Sequence, residues 1–210
     1  MPTNFSTMSK HIHTVLSLGD SYTIGEGVAL HESFPYQTIQ LLRSKGLHFH
    51  APEIVAETGW TSFELAAHLL HTQLNEQYDF VTLLIGVNNQ YRGLQIKEFK
   101  TDFEFLLKKA LHFAGNNIDR VMVLSIPDWG VTPFAKNRDA AIISSEIDQY
   151  NNVCENLAKQ YNICFVDITA STRLAKEDSS ILAKDELHYS GKEMRDWAEI
   201  LATLIMQQIS

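Results

Sequence analysis

The sequence predicts a three-layer α/β/α sandwich built on a five-stranded parallel sheet of the doubly wound type. Short apolar runs rich in β-branched residues alternate with longer segments of helical period, which is the pattern of a parallel sheet covered by helices. Several short runs are apolar without alternation, as strands buried on both faces are. The predicted strands cover residues 13–18, 53–56, 80–85, 120–126 and 163–168.

Helices are predicted between and after these strands. Thr61 and Glu64 have the spacing of a capping box at a helix start, and Ser190 and Glu193 repeat it before the last helix. Gly115 occupies a plausible C′ position, where a helix ends. The apolar stripes predict helices over residues 35–44, 61–74, 96–110, 143–161 and 190–205.

Composition bounds the class of protein. A length of 210 residues favours a single domain over residues 1–210, since domains average about 150 residues. The chain has 17 basic and 25 acidic residues and a net charge of −8, which argues against nucleic acid and anionic membranes as partners. The longest apolar run, residues 80–87, is far shorter than the ~18 residues that span a bilayer, so we expect no membrane insertion.

The chain start and the cysteines indicate the compartment. Residues 1–10 are polar and lack the apolar segment of a secretory leader, so a cytoplasmic location is expected, or a secreted one if a leader has been removed. Cys154 and Cys164 lie in apolar stretches and are expected to be small buried hydrophobic residues. We therefore predict neither a disulfide scaffold nor a cysteine metal site. The oligomeric state is left open.

Polar residues cluster after the predicted strands. Ligands of doubly wound folds bind beyond the carboxyl ends of the strands, so these segments should share one edge of the sheet. In chain order they are Gly19-Asp20-Ser21, Gly59-Trp60, Gly86-Val87-Asn88-Asn89, Pro127-Asp128-Trp129, Asp167 and, before the last helix, Asp185-Glu186-Leu187-His188.

These residue types suit hydrolysis by a serine. A serine hydroxyl must lose its proton to a base as it attacks, and His188 is of the right type for that base beside Ser21. Asp185, three residues before the histidine, can orient its ring. The backbone N–H groups of Ser21 and Gly59 and the side-chain amide of Asn88 are candidate donors to an oxyanion.

Other interpretations stand beside these. Asp167 is the rival carboxylate for the histidine, although its spacing is less favourable than that of Asp185. Asp20 is expected to brace its loop by hydrogen bonding, and Asp128 is expected to form a turn after Pro127. The aromatic residues after strand ends fit either a substrate pocket or the edge of the core. The candidate substrate-binding residues are Trp60, Asn89, Tyr91 and Trp129.

The nine histidines raise the possibility of a metal site. An open zinc site needs three ligands, and no histidine pair has a carboxylate or cysteine at ligand spacing in the sequence. We therefore expect no catalytic metal and no cofactor. The pairs considered are His11 with His13, His48 with His50, and His68 with His71.

The sequence resembles the SGNH hydrolases, also called GDSL esterases and lipases. Four blocks spread over nearly the whole chain carry the resemblance: Gly19-Asp20-Ser21-Tyr22, Gly59, Gly86-Val87-Asn88-Asn89 and Asp185-Glu186-Leu187-His188. Tyr22 stands where the family usually has Leu, and Asn89 stands where it usually has Asp.

The resemblance implies a role for each matching residue. Ser21 is then the nucleophile, His188 the general base and acid, and Asp185 its orienting carboxylate. Gly59 and Asn88 are oxyanion donors beside the Ser21 amide. A flavodoxin-like sheet and the absence of a metal cofactor are also implied.

The predicted function is therefore that of a serine esterase or acylhydrolase, which cleaves a small-molecule ester through an acyl-enzyme. One alternative is a flavodoxin-like phosphate or flavin binder that uses residues 21–25 at a helix N-terminus. That interpretation leaves Asp185 and His188 unexplained. Another is a binding module that has the fold but no turnover.

Overall fold

A computed structural model describes residues 11–209 and contains one five-stranded parallel sheet in that range. The strands lie in the order β2-β1-β3-β4-β5. The chain therefore changes direction across the sheet between β1 and β3, which is the switch point of a doubly wound fold. The predicted fold class is confirmed. The strands are β1 (Val15–Gly19), β2 (Glu53–Ala56), β3 (Phe80–Leu84), β4 (Val121–Leu124) and β5 (Cys164–Val166).

The predicted helices are all present, and three short α-helices were not predicted. The short helices α1, α4 and α7 directly follow strands or strand ends, where their few residues give no apolar period. The helices of the described range are α1 (Ser21–Ile24), α2 (Phe34–Ser44), α3 (Ser62–Leu69), α4 (Val87–Tyr91), α5 (Ile96–Phe113), α6 (Ala140–Gln160), α7 (Thr169–Thr172) and α8 (Gly191–Ile209).

The core lies on both faces of the sheet. Every residue of β1, β3 and β4 is buried, which explains why these strands have continuous apolar runs. Helices α2 and α8 pack against each other, whereas α5 contacts both α3 and α6. This segregation follows from right-handed crossovers, which put helices on opposite faces when the chain runs in opposite directions across the sheet.

One of the two predicted capping boxes is correct. The Thr61 amide donates to the Glu64 carboxylate at 2.8 Å, and the Glu64 amide donates to Thr61 Oγ1 at 3.4 Å. The second prediction is wrong, because Glu193 is buried and accepts from the Trp197 indole at 2.9 Å. Within the described range, Ser190 Oγ has no hydrogen-bond partner.

Several other sequence predictions concern the termini of elements and the cysteines. Gly115 has φ +65° just beyond α5, as predicted for a C′ residue. Cys154 is buried, Cys164 is partly exposed, and both thiols are free. No helix among residues 11–209 combines the length and apolarity needed to cross a bilayer. The polar segment 1–10, on which the leader prediction rests, lies outside the described residues.

Candidate active site

Ser21 lies at the carboxyl end of β1, next to the switch point of the sheet. It is the first residue of α1, and Asp20 caps this helix by accepting the Tyr22 amide at 3.1 Å. Gly19 is required immediately before, since a Cβ there would overlap the carbonyl oxygen of Leu84 on β3. The tight strand-to-helix turn therefore presents the serine hydroxyl at the edge of the sheet.

His188 and Asp185 reach this serine from the far end of the chain. His188 Nε2 lies 3.0 Å from Ser21 Oγ, and His188 Nδ1 lies 2.7 Å from Asp185 Oδ2. A carboxylate can only accept, so the Nδ1 atom carries the proton and Nε2 is left to accept one from Ser21. The three residues that the sequence proposed as a catalytic group therefore lie together in one hydrogen-bonded row.

The turn before α8 fixes the carboxylate. Asp185 Oδ1 accepts the backbone N–H groups of Leu187 at 3.0 Å and His188 at 2.9 Å, while Glu186 adopts φ +59°. Partial burial raises the pKa of Asp185, but the hydrogen bonds from His188 and from these amides outweigh burial and hold the pKa below its ordinary value. The Asp185 carboxyl group is therefore ionised at neutral pH.

Asp20 is a second carboxyl group beside the serine. It is almost completely buried, and this burial raises its pKa to about 7 against the opposing hydrogen bonds from the Tyr22 and Gly86 amides. Its side chain braces the turn, as the sequence predicted, and makes no hydrogen bond to the imidazole in the described part of the chain. A buried carboxyl group that titrates near neutrality therefore supports the position of Ser21.

Gly59 and Asn88 border the same cavity as Ser21 and His188. Gly59 has φ +83°, a conformation in which a side chain is strained, and of the described residues only Arg92 would lie within 4 Å of a Cβ there. The Asn88 amide donates one hydrogen to the Trp60 carbonyl at 3.0 Å. An amide nitrogen has two hydrogens, so the second can donate to a group in the cavity.

The Gly59 loop is held by side-chain contacts that the sequence did not reveal. Arg92 donates to the Gly59 carbonyl oxygen and forms an ion pair with Glu64 at 3.2 Å. Thr58 donates to the carboxylate of Glu26. Because Arg92 is 33 positions from Gly59, no local pattern could have indicated this contact.

The cavity has a volume of about 210 Å³ and a largely apolar wall. Trp129 is held there by its indole N–H, which donates to Gln90 Oε1 at 2.7 Å. Tyr91 packs edge-to-face on Trp129 with ring centroids 5.3 Å apart. Besides the polar residues already described, the cavity is lined by Tyr22, Val87, Tyr91, Trp129, Phe134 and Leu187. Tyr91 and Trp129 therefore line the same cavity as Ser21, which is the position that a substrate-binding residue needs.

Two of the candidate substrate-binding residues lie elsewhere. The Trp60 ring packs against His68 with centroids 4.7 Å apart, and only its backbone carbonyl reaches Asn88. The Asn89 side chain accepts the Ser62 amide at 2.9 Å and donates to Ser62 Oγ at 2.8 Å. Successive residues of a helix point about 100° apart, so Asn88 faces the cavity while Asn89 faces α3. The predictions for Trp60 and Asn89 are therefore corrected.

The rival carboxylates are occupied by other partners. Asp167 accepts from Ser125 Oγ at 3.1 Å at the end of β5. Asp128 accepts the Gly130 amide at 2.9 Å, as a turn-forming aspartate does, and also pairs with Arg173 at 2.8 Å. Neither contacts His188, which leaves Asp185 as its carboxylate partner.

One histidine pair has a carboxylate that the sequence did not reveal. Asp79, just before β3, lies beside His11 and His13 near the amino end of β1. The absence of a carboxylate at ligand spacing in the sequence did not exclude this contact, because parallel strands bring together residues that are distant in the sequence. This cluster lies at the opposite end of β1 from Ser21.

The fold and site together define a doubly wound α/β protein with a serine, an imidazole and a carboxylate at one cavity. Similar solved structures include the psychrotrophic esterase EstA from Pseudoalteromonas sp. (16% identity, TM-score 0.69, covering 94% of this chain and 98% of that one). The acetylxylan esterase Axe2 from Geobacillus stearothermophilus is also similar (18% identity, TM-score 0.71, covering 92% of this chain and 94% of that one). The acetyl xylan esterase AlAXEase is similar too (20% identity, TM-score 0.72, covering 90% of this chain and 98% of that one). At these identities the likeness establishes the fold.

The family follows from the sequence itself. The profile of the GDSL-like lipase/acylhydrolase family matches residues 17–194. The chain belongs to this family and is a hydrolase, which confirms the resemblance carried by its four blocks. Among curated proteins, none matches the chain significantly.

Proposed function

We propose that the protein is a serine esterase that works through an acyl-enzyme on Ser21. The observation that carries this proposal is the unbroken hydrogen-bonded row from Ser21 Oγ to His188, at 3.0 Å, and from His188 to Asp185, at 2.7 Å. Both distances are within the reach that proton transfer and ring orientation require.

In the first half of the reaction, Ser21 Oγ attacks the ester carbonyl carbon and its proton passes to His188 Nε2. The tetrahedral intermediate then breaks its bond to the alcohol oxygen, which takes the proton from His188 as the alcohol leaves. Asp185 stabilises the imidazolium that exists between these two transfers. The acyl group remains bonded to Ser21.

In the second half, water attacks the acyl-enzyme and gives a proton to His188. Collapse of this intermediate releases the carboxylic acid and returns the proton to Ser21. The negative charge on the carbonyl oxygen in both halves is assigned to three donors: the backbone N–H groups of Ser21 and Gly59 and the side-chain amide of Asn88.

The cavity favours a small acyl group. Its volume of about 210 Å³ lies below the ~300–1,000 Å³ of pockets that enclose drug-sized ligands. An apolar wall that includes Val87, Phe134 and Leu187 suits an acetyl or another short chain, and two of the similar structures are esterases for acetyl groups on xylan. The net charge of −8 likewise favours a small-molecule partner over nucleic acid.

The test combines turnover with covalent labelling. We expect the purified protein to hydrolyse p-nitrophenyl acetate and to gain one fluorophosphonate adduct in its intact mass, mapped to Ser21. Ser21→Ala should abolish both. Ser190→Ala is the matched control, since its hydroxyl is buried without a hydrogen-bond partner in the described range and lies outside the cavity lining.

The same preparation tests the alternatives. A yellow protein that does not label would favour a flavin binder, and a colourless protein that neither labels nor turns over any aryl ester would favour a binding module. An adduct on a serine other than Ser21 would contradict the assignment of the nucleophile. Above pH 7, where Asp20 is ionised, its carboxylate at the start of α1 would repel a phosphate bound there.

A further inference from the structure

Two histidines and an aspartate converge near the amino end of β1, remote from the catalytic cavity. Asp79 Oδ1 lies 2.9 Å from His11 Nε2 and 3.5 Å from His13 Nδ1. The three potential ligand atoms all lie within 4.8 Å of one another. Donor atoms around tetrahedral zinc are about 3.3 Å apart at ordinary bond lengths, so the cluster needs only small movements to bind an ion.

The carboxylate is already oriented by its second oxygen. Asp79 Oδ2 accepts the backbone N–H of Thr14 at 2.9 Å and its hydroxyl at 3.1 Å. These bonds occupy Oδ2 and point Oδ1 at the imidazoles. Supporting hydrogen bonds of this kind are typical of carboxylates that bind metals.

His13 supplies the observation that ordinary packing does not explain. Its Nδ1 atom is buried and makes no hydrogen bond in the described part of the chain, although Asp79 Oδ1 lies 3.5 Å away. The ring itself is fixed, since it packs on Phe49 and Phe80 with centroids 4.9 and 6.4 Å away. An unpaired polar atom in such a place is costly, and coordination of a cation by its lone pair would remove that cost.

We propose that His11, His13 and Asp79 bind a divalent transition-metal ion of the Zn²⁺ type. Two imidazoles and one carboxylate suit Zn²⁺ and its first-row neighbours, whereas Mg²⁺ and Ca²⁺ prefer oxygen ligands alone. The exposed side chain of His11 leaves a path from solvent to the ion. Water completes the coordination.

The position gives this site a structural role. Asp79 directly precedes β3, and His13 precedes β1, so one ion would join the starts of two neighbouring strands. Ser21 lies at the other end of β1, which keeps the ion out of the reaction. Binding to the folded state alone raises the apparent stability in proportion to the logarithm of the ion concentration.

Arg120 provides a test that distinguishes a metal site from a cluster in which Asp79 serves only as an ion-pair partner. Its guanidinium lies 3.8 Å from Asp79 Oδ1, where its positive charge opposes a bound cation. Arg120→Gln should therefore tighten binding at least about fivefold, which is the effect between two unit charges about 4 Å apart in water, and the ion carries two charges. If Asp79 served only to pair with Arg120, this variant would leave zinc affinity unchanged.

The experiment uses the full chain after treatment with a chelator. Calorimetric titration with ZnCl₂ should give saturable binding of one ion per chain, and zinc should raise the melting temperature. His11→Ala should weaken binding at least about tenfold. Loss of a residue that only supports a metal ligand usually has an effect of about this size, and His11 is itself a ligand. The His11 side chain is exposed, so this variant should fold normally.

A matched control and a second ligand variant complete the test. His48→Ala removes another exposed histidine, on the segment that pairs with His13, and should leave binding unchanged. Asp79→Asn keeps an acceptor for Thr14 and should weaken binding as His11→Ala does. The proposal fails if binding does not saturate, or if the His11 and Asp79 variants bind zinc like the wild-type protein.

Discussion

Asp185 and His188 are joined twice, once through the backbone and once through the side chain. One carboxylate oxygen accepts the His188 backbone N–H at 2.9 Å, and the other lies 2.7 Å from Nδ1 of the same residue. The backbone contact fixes the carboxylate independently of the imidazole. The Asp185 carboxylate therefore holds the imidazole in one tautomer, and its own orientation is held by the backbone hydrogen bond.

Asp185→Asn should lower kcat by about 10⁴, because the asparagine amide can donate to Nδ1 and so favours the tautomer that cannot accept the serine proton. Steady-state hydrolysis of p-nitrophenyl acetate measures this change. Asp167→Asn is the control, since Asp167 bonds to Ser125 and not to the histidine. Equal losses in the two variants would show that the tautomer argument is wrong.

Asn88→Ala should lower kcat by about 10²–10³ with little change in KM, as the loss of one oxyanion donor does. The side chain is at the cavity wall and makes one hydrogen bond, to the Trp60 carbonyl, so the fold should tolerate the change. Circular dichroism and thermal melting verify folding. An unchanged kcat in a folded variant would remove Asn88 from the mechanism.

Asn89→Ala should act on stability. The substitution removes two hydrogen bonds and leaves the buried Ser62 amide without its acceptor, which costs about 1–3 kcal/mol of unfolding free energy. Urea denaturation of this variant and of Asn88→Ala compares the two neighbours directly. A larger loss of stability for Asn88→Ala would reverse our assignment of the two amides.

Arg92→Ala should lower kcat about tenfold, which corresponds to the loss of a hydrogen bond that positions Gly59. Its side chain is 45% exposed, so the melting temperature should change little. Arg195→Ala, which removes a comparable exposed arginine paired with Glu199 on α8, is the control. A change in KM with constant kcat would assign Arg92 to substrate binding instead.

Asp20 should make the protein less stable as pH rises through the range from about 4 to about 7. Burial raises its folded-state pKa from 3.8 to about 7, so the folded state binds more protons than the unfolded state in this window. The unfolding free energy then falls by up to about 1.4 kcal/mol per pH unit. Above pH 7 this dependence ends.

Asp20→Asn cannot titrate and retains an acceptor for the Tyr22 amide. Urea denaturation at pH 5 and pH 8 should therefore show a larger loss of stability for the wild-type protein than for this variant. Parallel pH profiles for the two proteins would contradict the raised pKa of Asp20.

The sequence was sufficient for those site residues whose position follows from topology. Ser21 and Asn88 immediately follow buried strands, so the parallel sheet alone brings them to one edge. The direction of a side chain on the short helix α4 was not predictable, because five residues show no period that separates Asn88 from Asn89. This is why Asn88 lies at the cavity, as expected, whereas Asn89 does not.

Contacts between distant segments were missed for a different reason. Arg92 contacts Gly59, and Asp79 contacts His13, although each pair comes from two different segments of the chain. The sequence of one segment does not specify how it aligns with another. The prediction of the second capping box was wrong because Glu193 accepts hydrogen bonds from the Trp197 indole and the Ser171 hydroxyl in the folded protein. Tertiary packing thus overrides a local signal where both compete for the same side chain.

The packing of α2 against α8 has a consequence for the biosynthesis of the enzyme. Helix α2 follows the turn that carries Ser21, and α8 follows the imidazole, so docking of these helices assembles the nucleophile with its base. A nascent chain in which α8 has not yet docked on α2 therefore lacks the contact between Ser21 and His188.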